Sequence, residues 1–192
     1  MNLENRTPNI RRLNDMKAVI YDKEWLKTAE NLELYYMYRS VEKKDGLVYD
    51  VTVIPSNMLG KEFVKTKGHD HPKDFNELYM VLEGEAIFLA QKVENGKIKD
   101  VFVVEAKKGD SVIIPAHYGH ITINPSQKEL IMANWISKNC KGIYDLFEKM
   151  QGACYYYTQN GWIKNNNYSD IPTLRFEKPL KSMPKNLNFL KK

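Results

Sequence analysis

Between residues 34 and 137 the sequence is a series of short apolar segments separated by turn-forming residues, a pattern that strongly limits the fold. The segments are rich in Val, Ile, Tyr and Phe, which favour β-strands. The separators include Asp45-Gly46 and Asn95-Gly96, pairs that are typical of type I′ hairpin turns. Strands that recur about every 8–12 residues, without helices between them, predict an all-β sandwich or barrel.

The predicted strands form one domain, 1–192, with a barrel core over 34–137, an N-terminal arm over 1–33 and a C-terminal extension over 138–192. A helix capped by Asp22 is expected in the arm, over 22–33. The extension is expected to hold a short helix and a hairpin. The predicted strands are 32–41, 47–55, 61–66, 77–83, 85–93, 99–106, 110–115, 120–124 and 129–137, the second helix is 144–152, and the hairpin is 153–164.

The positive charge of the chain is confined to its last residues. The net charge is 29 − 24 = +5, and five lysines with no acidic residue lie between Lys178 and Lys192, which leaves 24 basic against 24 acidic residues elsewhere. We therefore expect a mobile basic tail and a body that does not bind nucleic acid.

The sequence also argues against a membrane or secreted protein. No apolar run approaches the roughly 18 residues of a membrane span, and the first residues lack the apolar core of a secretory signal. Cys140 and Cys154 match no zinc-binding spacing and are expected to be free thiols. We expect a cytoplasmic protein.

The chemistry is indicated by the histidines, all four of which lie in two short segments. His69 and His71 would point to the same face of a strand, because side chains alternate with period two. Glu77 opens the next predicted strand after a turn at Pro72, and His120 opens a later one. Three imidazoles and one carboxylate suit Fe, Mn, Ni or Zn.

Each of these residues alone has an ordinary interpretation, since a single histidine at a strand end is usually structural or exposed. Their combination in one barrel-like chain predicts a metal site formed by His69, His71, Glu77 and His120. His117 is out of phase with this set, and we expect it to line the mouth of the site.

The two histidine segments resemble the two motifs of the cupin family. The second has the expected spacing of Gly109, Pro115, His120 and Asn124, whereas the first has a long gap of five residues between His71 and Glu77. The run from Thr66 to His71, TKGHDH, resembles the cupin-type phosphoglucose isomerases in particular. Weaker similarity in RRLNDMKAVIYD, NMLGKEFVKTKGH and IYDLF extends the resemblance over about residues 10–170.

The resemblance implies a jelly-roll cupin barrel, a double-stranded β-helix, with the same four metal ligands. It also places the phosphate-binding residues of the family at Thr52, Thr66 and Gly68, and two active-site tyrosines at Tyr79 and Tyr144. From the residues alone, Thr66 and Gly68 could form a strand end with a β-bulge, and both tyrosines could serve packing. The sequence departs from the family near Trp135–Ile136 and at Gly142-Ile143, where substrate-ring contacts are expected.

The implied activity is the interconversion of glucose 6-phosphate and fructose 6-phosphate through an enediol, with Glu77 as the base and Tyr79 beside it. The implied cofactor is one divalent ion per subunit, Fe²⁺ in the first place and Mn, Ni or Zn as alternatives. The partners implied are a phosphorylated sugar and a second copy of the chain, which would contact the apolar segment 32–41. A cupin dioxygenase and a non-catalytic protein that binds sugar phosphates are the competing hypotheses.

Overall fold

A computed structural model describes residues 3–71 and 74–191 and shows an all-β architecture. Two very short α-helices, α1 (Lys23–Leu26) and α2 (Asp145–Lys149), flank the barrel, together with 3₁₀ turns at Leu13–Asp15, Lys17–Val19 and Asn188–Leu190. The strands are β1 (Asn9–Arg12), β2 (Glu33–Lys44), β3 (Leu47–Ile54), β4 (Met58–Leu59), β5 (Glu62–Phe63), β6 (Glu77–Glu83), β7 (Glu85–Glu94), β8 (Lys97–Lys107), β9 (Ser111–Ile114), β10 (Tyr118–Ile123), β11 (Leu130–Ser137), β12 (Tyr155–Thr158), β13 (Gly161–Lys164) and β14 (Arg175–Glu177).

The strand order is that of a jelly roll. One sheet has the order β1-β2-β3-β11-β6-β9, and a second has the order β10-β7-β8-β14. Residues 65–69 extend the second sheet, because Lys65 and His69 form antiparallel bridges to Ile123 and His120 of β10. From β6 onward the chain crosses between the two sheets at β6–β7, β8–β9, β9–β10 and β10–β11, while β2–β3 and β7–β8 are hairpins within one sheet. The two sheets share an apolar core, which confirms the predicted cupin barrel.

The hairpins that set the register were predicted by their turn residues. Asp45 and Gly46 both have positive φ, +52° and +81°, as do Asn95 and Gly96, +52° and +74°. Positive φ at both central positions defines the type I′ turn, whose twist matches that of the flanking strands. The strand pairs β2–β3 and β7–β8 are joined in this way.

Two predicted elements are shorter than expected because tertiary contacts interrupt them. The helix over 22–33 ends at Leu26, although Asp22 caps it by accepting the Trp25 N–H at 3.0 Å. Leu32 and Asn31 instead accept hydrogen bonds from Leu13 and Asn14, at 2.8 and 2.9 Å. The strand expected over 61–66 ends at Phe63, since the chain there changes its partner from the small sheet β13-β12-β5-β4 to β10.

The two ends of the chain are integrated into the barrel. The N-terminal arm contributes β1, which pairs with β2 and extends the first sheet. The segment 32–41, expected to contact a second subunit, lies between β1 and β3 with Tyr35 and Met37 buried, and the homodimer stays a prediction.

The expectation of a mobile basic tail is wrong for the residues described. β14 pairs in parallel with β8, Leu180 exchanges two backbone hydrogen bonds with Ser111 at 2.8 and 2.9 Å, and Leu190 is fully buried. Lys181 forms an ion pair with Asp110 at 3.0 Å. Apolar residues between the lysines therefore fix this segment on the barrel.

Both cysteines are free, as expected, and burial raises the pKa of each thiol to about 12.

In the part of the chain that the structure describes, no helix is long and apolar enough to cross a membrane.

Candidate metal centre

Two of the candidate ligands, His69 and His120, face each other where the segment 65–69 pairs with β10 at the edge of the second sheet. The His69 N–H donates to the His120 carbonyl at 3.2 Å, and the His120 N–H donates to the His69 carbonyl at 3.0 Å. This pairing brings the two imidazole rings to a centroid distance of 4.5 Å. His120 is the third residue of β10 rather than its first, because the strand begins at Tyr118.

The other two candidate ligands are His71, which follows this pairing closely, and Glu77, which begins β6 of the first sheet. Pro72, at which the turn was predicted, lies outside the described residues, as does Lys73. The Phe75 carbonyl, just before Glu77, accepts a hydrogen bond from His71 Nδ1 at 3.2 Å. Glu77 is the first residue of β6, and its Oε1 accepts a hydrogen bond from Asn134 Nδ2 at 2.7 Å.

These contacts bring four potential ligand atoms together within 4.8 Å of one another, one each from His69, His71, Glu77 and His120. The last three of these residues are buried. All four residues named from the sequence as metal ligands thus form one cluster.

The donor set fits a cation. A carbonyl can only accept, so His71 must donate from Nδ1, and its neutral ring then carries a lone pair on Nε2. This Nε2 lies 3.0 Å from Glu77 Oε2 and 3.2 Å from His69 Nε2. Glu77 Oε2 is buried and accepts no well-formed hydrogen bond from the described residues. Electron pairs directed at one another in a buried space need a positive ion between them.

The electrostatics of His69, His120 and Glu77 favour the same interpretation, because neutral imidazoles and an ionised carboxylate are the forms that bind a cation. Burial lowers the pKa of His69 well below its ordinary value, and it lowers that of His120 although Glu77 opposes it. Burial would raise the pKa of Glu77, but the imidazoles of His120 and His71 beside its carboxylate hold that pKa well below its ordinary value. For His71 the carboxylate outweighs burial and raises the pKa, so a proton competes for this ligand.

The cluster opens into a cavity of about 150 Å³ that contains the other predicted site residues. Its wall includes one candidate metal ligand from each sheet, His69 and Glu77. It also includes the five residues taken from the family resemblance. These are Thr52, Thr66, Gly68, Tyr79 and Tyr144. Tyr79 contacts the ligand cluster directly, with its hydroxyl 2.9 Å from His120 Nε2.

A β-bulge at Gly68 allows Thr66 and Gly68 to share the cavity with His69. From Lys65 to His69 there are four steps along the chain, while the paired residues of β10, Ile123 to His120, are three steps apart. Gly68 takes up the extra residue with φ +85°. A Cβ at this position would lie 2.5 Å from Phe147 and 2.6 Å from Ile121, so both conformation and packing require glycine.

His117 does not line the cavity as expected. It has φ +68°, its side chain is exposed, and its Nε2 contacts Asp74 Oδ1 at 2.8 Å. The positive φ turns the side chain away from the direction that His120 takes.

The structure adds residues that the sequence analysis missed. Asn134, which holds Glu77, is the polar residue in the otherwise apolar run LIMANWI, and this exception was a detectable signal. Arg39 and Asp50 form an ion pair of 2.7 Å at the cavity. The guanidinium of Arg11 lies 5.8 Å from the centre of the Tyr144 ring, a contact between distant parts of the chain that no local pattern reveals.

The chain is similar to several known proteins. The curated glucose-6-phosphate isomerase of Thermococcus litoralis is 35% identical over 135 residues, which are 67% of this chain and 69% of the relative. That of Pyrococcus horikoshii is 33% identical over 64% of this chain and 66% of its own length. Among solved structures, an oxalate oxidase with bound glycolate aligns over 53% of this chain and 47% of its own, with 18% identity and a TM-score of 0.43.

The family model described as glucose-6-phosphate isomerase matches residues 10–173. The match includes the four candidate ligands and the cavity residues described above. It covers most of the chain, and with the relative from Thermococcus litoralis it shows that this protein belongs to the glucose-6-phosphate isomerase family, in its cupin form.

Proposed function

We propose that this protein is a metal-dependent aldose–ketose isomerase that interconverts glucose 6-phosphate and fructose 6-phosphate. The observation that carries the proposal is that His69 and Glu77 of the metal cluster line the same cavity as Thr66 and Gly68. A sugar phosphate needs both kinds of surface, one for its carbonyl end and one for its phosphate. Membership of the family supports the same substrate class, since the curated relatives carry the name of this activity.

The phosphate end of the proposed site offers hydrogen-bond donors. Thr66 Oγ1 already accepts the Thr122 N–H at 2.9 Å, so its hydroxyl proton can be donated to a ligand. Gly68 lacks a side chain and lets an anion approach the backbone closely. Thr52, which is buried on β3 and lines the cavity, would add a second hydroxyl.

Cations lie beside these donors. Arg11 Nε is buried and has no hydrogen-bond partner among the described residues. Lys67 Nζ lies 5.5 Å from the centre of the Tyr144 ring and forms an ion pair with Glu148 at 2.5 Å. Because Glu148 already neutralises Lys67, we assign the larger role in phosphate binding to Arg11, whose guanidinium can make charge-assisted hydrogen bonds.

At the other end, His69, His71, Glu77 and His120 would hold one divalent ion, and we propose Fe²⁺, with Mn²⁺, Ni²⁺ and Zn²⁺ compatible with the same donors. Such an ion would stabilise the negative charge that develops on O1 and O2 of the sugar during isomerisation. Glu77 is the proposed base that moves the proton between C2 and C1, and Tyr79 would orient the substrate oxygens beside it.

Glu77 is constrained in this role. Its Oε1 is held by Asn134 and its Oε2 faces the imidazoles of His71 and His120, so proton transfer requires that Oε1 exchange Asn134 for the substrate. Direct hydride shift between C1 and C2 would not require this exchange. Glucose 6-phosphate labelled with deuterium at C2 separates the two routes, because proton transfer releases label to water and hydride shift retains it at C1 of the product.

The proposal is tested by a coupled assay that converts fructose 6-phosphate, on protein stripped of metal with EDTA and then given Fe²⁺, Mn²⁺, Ni²⁺ or Zn²⁺ separately. We expect activity to be lost on stripping and restored by at least one ion. Full activity in protein shown by elemental analysis to hold no metal would contradict metal dependence. Oxygen consumption without isomerisation would indicate a cupin dioxygenase, and binding of 6-phosphogluconate without turnover would indicate a binding protein.

A further inference from the structure

The loop that carries two of the metal ligands is tied to the C-terminal segment of the chain. Asn76, between Phe75 and Glu77, donates from Nδ2 to the Phe189 carbonyl at 2.8 Å. Its Oδ1 accepts the Ala116 N–H at 2.9 Å. One side chain therefore links this loop both to the turn before β10 and to a segment 113 residues further along the chain.

The C-terminal end of this link is firmly anchored. Leu190 has no exposed surface and packs in the apolar cluster on the outer face of the first sheet, with Leu47, Leu78 and Trp135. The residues before it are fixed by the pairing of Leu180 with Ser111. The segment also lies beyond residues 10–173, the part of the chain that matches the family.

We propose that the segment 187–191 is a strap that acts through Asn76 and positions residues 75–77, the part of the metal-site loop next to the candidate ligands His71 and Glu77. This inference rests on the metal site of the proposed function. Phe75, next to Asn76, supplies the carbonyl that orients the His71 ring, and Glu77 follows on the other side. Movement of Asn76 therefore changes the alignment of two ligands without contact between the strap and the ion, as for other groups that orient metal ligands.

The strap is tested by measuring Ni²⁺ affinity by chelator competition in full-length Asn76→Ala, Leu190→Ala and the double variant. We expect each single variant to bind Ni²⁺ roughly tenfold more weakly than the wild type. The double variant should be no weaker than Asn76→Ala, because both changes break the same link. Leu180→Ala is the matched control: its side chain is 42% exposed and its pairing uses the backbone, so its affinity should not change.

Circular dichroism and thermal melting of the metal-free proteins separate positioning from stability. A Leu190→Ala variant that melts earlier but binds Ni²⁺ like the wild type would overturn the strap, as would additive losses in the double variant. Leu190→Val, a smaller truncation, replaces Leu190→Ala if the latter does not fold. If the wild type itself binds no Ni²⁺, the metal site fails, whereas failure of the strap alone leaves wild-type binding intact.

Discussion

The two ends of the cavity, the proposed metal end at His69 and Glu77 and the proposed phosphate end at Thr66 and Gly68, are built in different ways. At the metal end the ligand side chains interlock: Glu77 contacts His71 and His120, and Asn134 holds its other oxygen. At the phosphate end the groups come from the N-terminal arm, β3, the bulge and α2, and polar atoms such as Arg11 Nε have no partner among the described residues. The metal end is thus organised by its own contacts, whereas the phosphate end is organised by the fold around it. Substitutions should therefore act on chemistry at one end and on substrate affinity at the other.

The largest effect is expected from Glu77→Gln. The amide keeps the shape but loses the charge that the ion and the proton transfer require, so turnover should fall by about 10²- to 10⁴-fold. Glu83→Gln, an exposed position on the same strand, is the matched control and should keep wild-type turnover. Steady-state kinetics with metal analysis makes the measurement, and near-normal turnover in a folded Glu77→Gln protein would remove Glu77 as the base.

The metal end was predictable from the sequence because its signal is local. His69, His71 and Glu77 lie within nine residues, and the period of two in a strand places the histidines on one face. The strand 77–83 was predicted to the residue because an unbroken apolar run lies between two glutamates and the turn residue Gly84 follows it. His120 was included because it follows Pro115 and opens the predicted strand 120–124.

The phosphate end and the strap were not predictable in the same way. Arg11 meets Tyr144 only after β1 pairs with β2, and Asn76 meets Phe189 only after the tail crosses the first sheet. The lysines of the tail suggested mobility, but the apolar Leu190 between them determines where it lies. Contacts between residues far apart in sequence form only when the sheet has folded, so the local pattern of apolar and polar residues does not predict them.

An intermediate effect is expected from Gly68→Ala, which acts on the fold around the phosphate end. Alanine would have to adopt φ +85°, and its Cβ would meet Phe147 and Ile121 at 2.5 and 2.6 Å. Strain and overpacking together should lower the free energy of unfolding by about 2–5 kcal/mol. Gly96→Ala, also at positive φ but with no atom within 4 Å, controls for backbone strain alone. Denaturant unfolding measures both, and equal losses would show that the packing around Gly68 is not tight.

The smallest effect is expected from Arg11→Met, which tests the phosphate end without touching the metal ligands. Methionine keeps much of the apolar stem but removes the guanidinium, so KM for fructose 6-phosphate should rise about 10- to 150-fold while kcat changes little. A charged hydrogen bond is worth about 1.5–3 kcal/mol, and each 1.4 kcal/mol is about tenfold. Arg12→Met is the matched control, because Arg12 is adjacent and pairs with Glu33 at the surface. Equal KM values for the two variants would exclude Arg11 from phosphate binding. A fall in kcat for Arg11→Met alone would mean that the two ends are coupled, and that phosphate binding helps to align the sugar at Glu77.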